Sequence, residues 1–275
     1  MKYATGVRNA PITRLGHYFR IAVVALVGFG LWIHAGIAIA SQSHSGVSIL
    51  AYHRFGPTVA DSMTVTTPVL EQQLAWLTQH DCRILPLRTF VDGLRKNERS
   101  GVSCAVVITV DDGHRTVYTE LFPLVRKYGF PITLFIYPSA ISNASYAMTW
   151  EQIAEMAGTG LVDIQSHTYW HPNFRTEKAR LSPGDYDAFV RTQLLRSQKV
   201  LAEHSRGAVD MLAWPFGIYD AALERAAQDA GYVAAFSIER RSACSDDDIL
   251  ALPRYLMNDL DRGARFAAIV GGSCR

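Results

Sequence analysis

From residue 47 onward the chain is a series of short runs rich in β-branched and aromatic residues, each followed by a longer stretch with helical apolar spacing. That alternation is how a chain building βα units reads, with parallel strands and covering helices. The strand runs are 47–52, 83–85, 105–110, 132–136, 162–166, 211–214 and 233–237. Helix starts are legible between them. Thr67 before Pro68 caps a helix through Gln79, and Thr149 with Gln152 three residues on is a capping box whose helix Gly158 can close. Asp185 precedes a helical segment at 186–204, and Asp220 precedes one at 221–230 that stops at Gly231. Seven strands in such a series predict an α/β sheet closed, or nearly closed, into a barrel. The runner-up, an open doubly wound sheet, would gain from a Gly-x-Gly-x-x-Gly turn after the first strand, where this chain has Tyr52-His53-Arg54-Phe55.

Charge is segregated along the chain. Residues 1–20 carry Lys2, Arg8, Arg14 and Arg20 without an acid, and residues 21–40 carry no Asp, Glu, Lys or Arg. The run ends at Ala38-Ile39-Ala40 before Ser41, the small-x-small form of an export cleavage site. Two parts are therefore expected: a signal peptide or membrane anchor over 1–40 and a single folded domain over 41–275. Twenty apolar residues at about 1.5 Å each also suffice to cross a bilayer of roughly 30 Å. Membrane contact is expected only through 21–40, and only if that segment stays uncleaved. The expected location is periplasmic or extracellular, with or without an anchor. Taking the four basic residues of the first forty from the 27 Lys and Arg leaves 23 against 25 Asp and Glu, so the body carries a formal charge of −2. Such a balance excludes a basic nucleic-acid binder.

Four cysteines, Cys82, Cys104, Cys244 and Cys274, allow three full pairings in an oxidising compartment, and none has C-x-x-C spacing. Cys82 and Cys104 each stand at or just before a strand start, which lets them meet at one end of a sheet. Cys274 can then tie the C-terminus to Cys244. Free buried thiols are the alternative.

The apolar run 105–110 leads directly into Asp111-Asp112-Gly113. Adjacent carboxylates at the end of a buried strand repel and lose solvation, a cost that a cation relieves. The run 162–166 leads into His167-Thr168-Tyr169-Trp170-His171-Pro172, and two histidines four apart share one face if the segment makes a helical turn. One carboxylate and two histidines leave coordination positions open for water and substrate. Trp214-Pro215-Phe216-Gly217 ends a third strand, so all three segments reach one rim of a barrel.

These segments resemble the polysaccharide deacetylases, the NodB-homology or carbohydrate esterase family 4 domain. Thr109-Val110-Asp111-Asp112-Gly113 is similar to the first motif of that family, with Val for Phe, and Ser166 to Pro172 matches the second. The resemblance spans roughly 47–257. It implies a distorted (β/α)7 barrel and one divalent, zinc-type ion, with cobalt or nickel also accepted. Carried onto matching positions, Asp111 is the general base, and Asp112, His167 and His171 are the metal ligands. The Phe216 N–H is the oxyanion donor if Trp214-Pro215-Phe216 is the third motif. The implied partner is an N-acetylated polysaccharide.

Two departures point within the family. The third motif usually reads Arg-x-Pro where this chain has Ala213-Trp214-Pro215, and no histidine follows His204 to supply the late Leu-x-His. Both, with Tyr52-His53-Arg54-Phe55, resemble the poly-β-1,6-N-acetyl-D-glucosamine deacetylase branch of bacterial biofilm systems. In that reading His53 is the replacement acid and Arg254 replaces the missing arginine. A peptidoglycan or other sugar deacetylase or esterase is the enzymatic alternative. A non-catalytic carbohydrate-binding relative is the alternative outside enzymes. Trp150, Tyr169, Trp170 and Trp214 are expected near a sugar groove.

Overall fold

A computed structural model describes residues 46–96 and 104–274. The segment expected to export or anchor the chain lies outside them. In chain order the elements are β1 (Ser48–Tyr52), β2 (Arg54–Gly56), β3 (Thr64–Thr66), α1 (Thr67–Gln79), β4 (Arg83–Ile84), α2 (Leu87–Arg95), β5 (Ala105–Asp111), α3 (Phe122–Tyr128), β6 (Ile132–Ile136) and α4 (Trp150–Gly158). They continue as β7 (Val162–Ser166), α5 (Phe174–Arg180), α6 (Pro183–Ala202), β8 (Met211–Ala213), α7 (Ala221–Asp229), β9 (Ala234–Phe236), β10 (Tyr255–Leu256) and α8 (Ala264–Val270).

The central sheet runs β10-β1-β5-β6-β7-β8-β9, every pair parallel. β1, β5 and β6 are buried at every position, as strands covered on both faces must be. Alternate side chains divide two ways. Ile49, Val107, Phe135, Ala213 and Phe236 form an interior cluster with Leu252. Leu50, Val106, Ile108, Leu134 and Ile164 pack outward on α1, α3, α4 and α8. Leu212, Trp214 and Ala235 pack on α6 and α7. The ends of the sheet approach each other through 252–256, since Leu252 bridges Phe236 while Tyr255 and Leu256 pair with Leu50 and Ala51. This is a distorted parallel barrel with helices outside, as the alternation predicts.

The run at 83–85 is not a barrel stave. β4 holds two residues paired to the start of β5, and the seventh place in the path belongs to β10, too short for a periodicity signal. Helix starts also differ in detail. Thr66 precedes α1, and its hydroxyl bonds Asp259 instead of capping. Ser182 caps α6 by accepting the Asp185 N–H, so Asp185 lies in the first turn. The Thr149 capping box and the Asp220 cap are present as expected. Cys82 pairs with Cys104, the residues just before the register pair Arg83 and Ala105, and Cys244 pairs with Cys274. Among the described residues no helix is long and apolar enough to cross a membrane.

Candidate active site

Strand alternation turns Ala105, Val107, Thr109 and Asp111 to the barrel interior, so the last of them delivers a carboxylate to the mouth. Arg254 meets it there. It stands two residues beyond Leu252 in the segment that closes the barrel, and it is fully buried. Its Nη1 donates to Asp111 Oδ1 at 2.8 Å and its Nη2 to Oδ2 at 2.7 Å. Nη1 also donates to Thr109 Oγ1 at 3.2 Å and Nε to the Ser237 carbonyl at 3.0 Å, and the guanidinium lies over the Phe135 ring. Burial alone would raise the Asp111 pKa. The Arg254 charge and its paired hydrogen bonds more than reverse this and hold the carboxyl well below the usual range.

Beyond Asp111 the chain turns sharply, with φ of +73° at Asp112 and +79° at Gly113. Gly113 suits this position doubly, because a Cβ there would lie 2.9 Å from Ile141. The turn aims Asp112 Oδ1 at His167 Nε2 and His171 Nε2, each 3.7 Å away. Oδ1 is buried and has no hydrogen-bond partner. The Nδ1–H of His167 donates to the Ala213 carbonyl at 2.7 Å, which fixes the tautomer and leaves the Nε2 lone pair facing the carboxylate. Asp112, His167 and His171 bring one ligand atom each to within 4.8 Å of one another. An orphaned carboxylate oxygen facing two imidazole nitrogens suits a small divalent cation. Asp111 stands beside this cluster, with Oδ2 3.9 Å from His167 Nε2.

The histidines do not meet through a helical turn. Thr168 and His171 are both left-handed, with φ of +63° and +62°, in a loop braced from α6. Gln193, buried on that helix, accepts the Trp170 N–H at 3.0 Å, and Ser197 accepts from Ser166, whose hydroxyl takes the Thr168 N–H. Sequence reasoning missed this brace. Its only trace there is two polar residues in the otherwise apolar stripe of Val190, Leu194 and Leu201. Burial, reinforced by His167, lowers the His171 pKa to about 4.

His53, immediately after β1, lines the same cavity of about 580 Å³, and its buried Nδ1 has no partner. Burial lowers its pKa against the opposing pull of Asp111 and Asp112. Phe216 sits in a tight turn at φ +56°, its ring 4.5 Å from that of His171. The bonds closing that turn run from Gly217 N–H to Trp214 O and from Ile218 N–H to Pro215 O, so neither uses the Phe216 N–H. All seven residues singled out in the sequence therefore converge on one end of the barrel. The expected aromatic lining is met only in part. Trp214, though buried, does line the cavity floor, whereas Trp150 stacks on His204, Tyr169 lies under Arg196, and exposed Trp170 packs on Phe189. Tyr137 and Tyr146, outside the motifs, line the wall with it, joined hydroxyl to hydroxyl at 2.8 Å.

Comparison with known proteins agrees with this geometry. The sequence model of the family described as polysaccharide deacetylase matches residues 99–235. A poly-beta-1,6-N-acetyl-D-glucosamine N-deacetylase of Staphylococcus aureus is 26% identical over 201 residues, covering 71% of this chain and 68% of that one. Among solved structures, the Streptococcus pyogenes deacetylase PplD in complex with acetate superposes with a TM-score of 0.73 at 19% identity, over 82% of this chain and 98% of that one. IcaB from Ammonifex degensii gives 0.71 at 24% identity, over 83% and 98%. At these identities the two structures speak for the fold. Motif, fold and sequence likeness agree, and the chain belongs to the polysaccharide deacetylase family, NodB-homology enzymes that hydrolyse amide-linked acetyl groups.

Proposed function

We propose that this enzyme removes N-acetyl groups from a poly-N-acetylglucosamine chain outside the cytoplasm. The observation that carries the reading is the division of labour between adjacent carboxylates. Asp111 is clamped by Arg254, while Asp112 presents an unpartnered oxygen to two histidines.

A divalent ion of the zinc, cobalt or nickel type fits Asp112, His167 and His171, and when bound it supplies Lewis-acid chemistry: polarisation of the acetyl carbonyl and a lowered pKa for attacking water. The protein's own groups do the rest. Arg254 keeps Asp111 ionised and aimed where burial alone would protonate it, so Oδ2 serves as the acceptor of the water's proton. The Phe216 N–H, which neither bond closing its turn uses, is assigned to the developing oxyanion. To His53, whose buried Nδ1 has no partner, we assign the transfer to the leaving amine of the proton that Asp111 takes from water. Arg254 thereby fills the role that an Arg-x-Pro motif fills elsewhere in the family, from the segment just before β10.

The polymer is assigned by likeness to the Staphylococcus aureus relative, a poly-beta-1,6-N-acetyl-D-glucosamine N-deacetylase. Export is supported by the basic-then-apolar order of residues 1–40 and by two disulfides, which persist in oxidising compartments. The test is acetate and free amine released from partly N-acetylated β-1,6-glucosamine oligomers, with chitin oligomers, peptidoglycan fragments and an O-acetylated sugar alongside. Release should be fastest from the β-1,6 oligomer, cease on chelation and return with zinc, cobalt or nickel. Faster release from another substrate would reassign the polymer, and binding without release from any would make the chain a binding relative.

A further inference from the structure

The cavity mouth carries an aromatic row that the hydrolytic chemistry does not use. β6, β7 and β8 are consecutive in the sheet, so Tyr137 just after β6 and Phe216 just after β8 stand on opposite sides of His171. Their rings lie 5.3 and 4.5 Å from the His171 ring. Tyr146 extends the row beyond Tyr137 through the shared hydroxyl bond and stacks on His114.

Tyr137 packs partly on the core, but core packing does not account for Phe216 and Tyr146. Phe216 is 56% exposed and Tyr146 is 43% exposed. Phe216 also occupies left-handed backbone, which non-glycine residues adopt at a cost. Both are nonetheless held firmly. Gly217 beside Phe216 fits so closely that a Cβ would lie 2.4 Å from Ile238. The Tyr146 carbonyl accepts the Arg115 N–H at 2.7 Å, and Ala147 bridges His114. Rigid exposed rings lose little entropy when a ligand settles on them, and an equatorially substituted pyranose offers flat C–H faces to meet them.

We propose that Phe216 on one side and the Tyr137–Tyr146 pair on the other are platforms for the two sugars flanking the one whose acetamide reaches Asp112, His167 and His171. The site is then built for an internal residue of a neutral, N-acetylated chain, and a free monosaccharide engages neither platform fully. This rests on the proposed function for its ligand class.

The test reads binding in the absence of turnover. Chelator-treated full-length protein is titrated calorimetrically with an N-acetylated β-1,6-glucosamine pentamer and with N-acetylglucosamine. Phe216→Leu and Tyr146→Leu should each weaken pentamer binding by roughly three- to tenfold. Tyr146→Phe, which keeps the ring, should lose less, and the pentamer should bind wild type more tightly than the monosaccharide. Tyr128→Leu, on an exposed ring at the end of α3 before the opposite end of β6, should match wild type. Should Phe216→Leu fail to fold, Tyr146→Leu carries the test. Unchanged pentamer affinity in the folded Leu variants, or equal affinity for pentamer and monosaccharide, would overturn the proposal. Because no acetate is measured, these results stand whether or not the metal-loaded enzyme turns over.

Discussion

Replacing Arg254 by Met removes a guanidinium that makes four hydrogen bonds inside the barrel, two of them to Asp111. Asp111 is 2% exposed and accepts no other side-chain hydrogen bond, so the variant buries a carboxylate without a partner. Breaking one side of such a pair costs about 3–5 kcal/mol. At about 2–4 °C per kcal/mol for a domain of this size, Tm should fall by about 6–20 °C. Urea unfolding of the oxidised, chelated protein gives the same quantity as a drop in midpoint at unchanged slope. The sign of the pH dependence follows from the two environments. In the wild type Asp111 sits below its unfolded pKa, so the pair stabilises at every pH above the ordinary carboxylate range and is lost only in stronger acid. In Arg254→Met burial loses its main opponent, leaving only the weaker pull of His167 and His53, so the Asp111 pKa should rise and the stability gap to wild type should narrow as pH falls through about 4. Adding Asp111→Asn to Arg254→Met removes the stranded charge and should recover part of the loss. A cost below about 1 kcal/mol, or strict additivity of the two substitutions, would refute the clamped-base argument.

Other expectations follow from the same geometry. Asp112→Ala and His171→Ala should abolish stoichiometric metal binding, measured by elemental analysis of the purified proteins. Gln193→Leu should weaken metal affinity by about 10–100-fold without touching a ligand, because it releases the Trp170 peptide that positions His171; competition with a chromogenic chelator would read it. His171 is held near pKa 4, below its unfolded value, so metal-free protein should lose stability as pH falls from about 6.5 towards 4, the unfolded chain taking up the proton. Thermal denaturation across that window checks the sign, and a flat profile would contradict the burial of His171.

The barrel was legible in the sequence because its strands are apolar runs between capped amphipathic helices, and β6 and β7 fall on the runs read from the residues. Strand ends located the rim, and with it Asp111, Asp112, His167 and His171. What the sequence hid depends on tertiary contacts. The staple at β10 is two residues long, below any periodicity. The left-handed turns at Asp112, Thr168, His171 and Phe216 follow from the surrounding packing, since none of these residues is the glycine that would announce such a turn. Arg254 was named only through the family resemblance, and its bidentate contact with Asp111 is made by barrel closure across 143 residues. The aromatic wall was read only in part for the same reason: Trp214 does line the cavity, but Trp150, Tyr169 and Trp170 pack elsewhere while Tyr137 and Tyr146, outside the motifs, form its side.

The central claim is that Asp111 works as a base beside the metal ligands and not as one of them. The most direct measurement is acetate release by Asp111→Asn, with bound metal quantified on the same sample. The account predicts full metal stoichiometry and a loss of at least the roughly 10²–10⁴-fold that general base catalysis contributes. Metal lost together with activity would make Asp111 a ligand, and activity within a few fold of wild type would remove it from the chemistry.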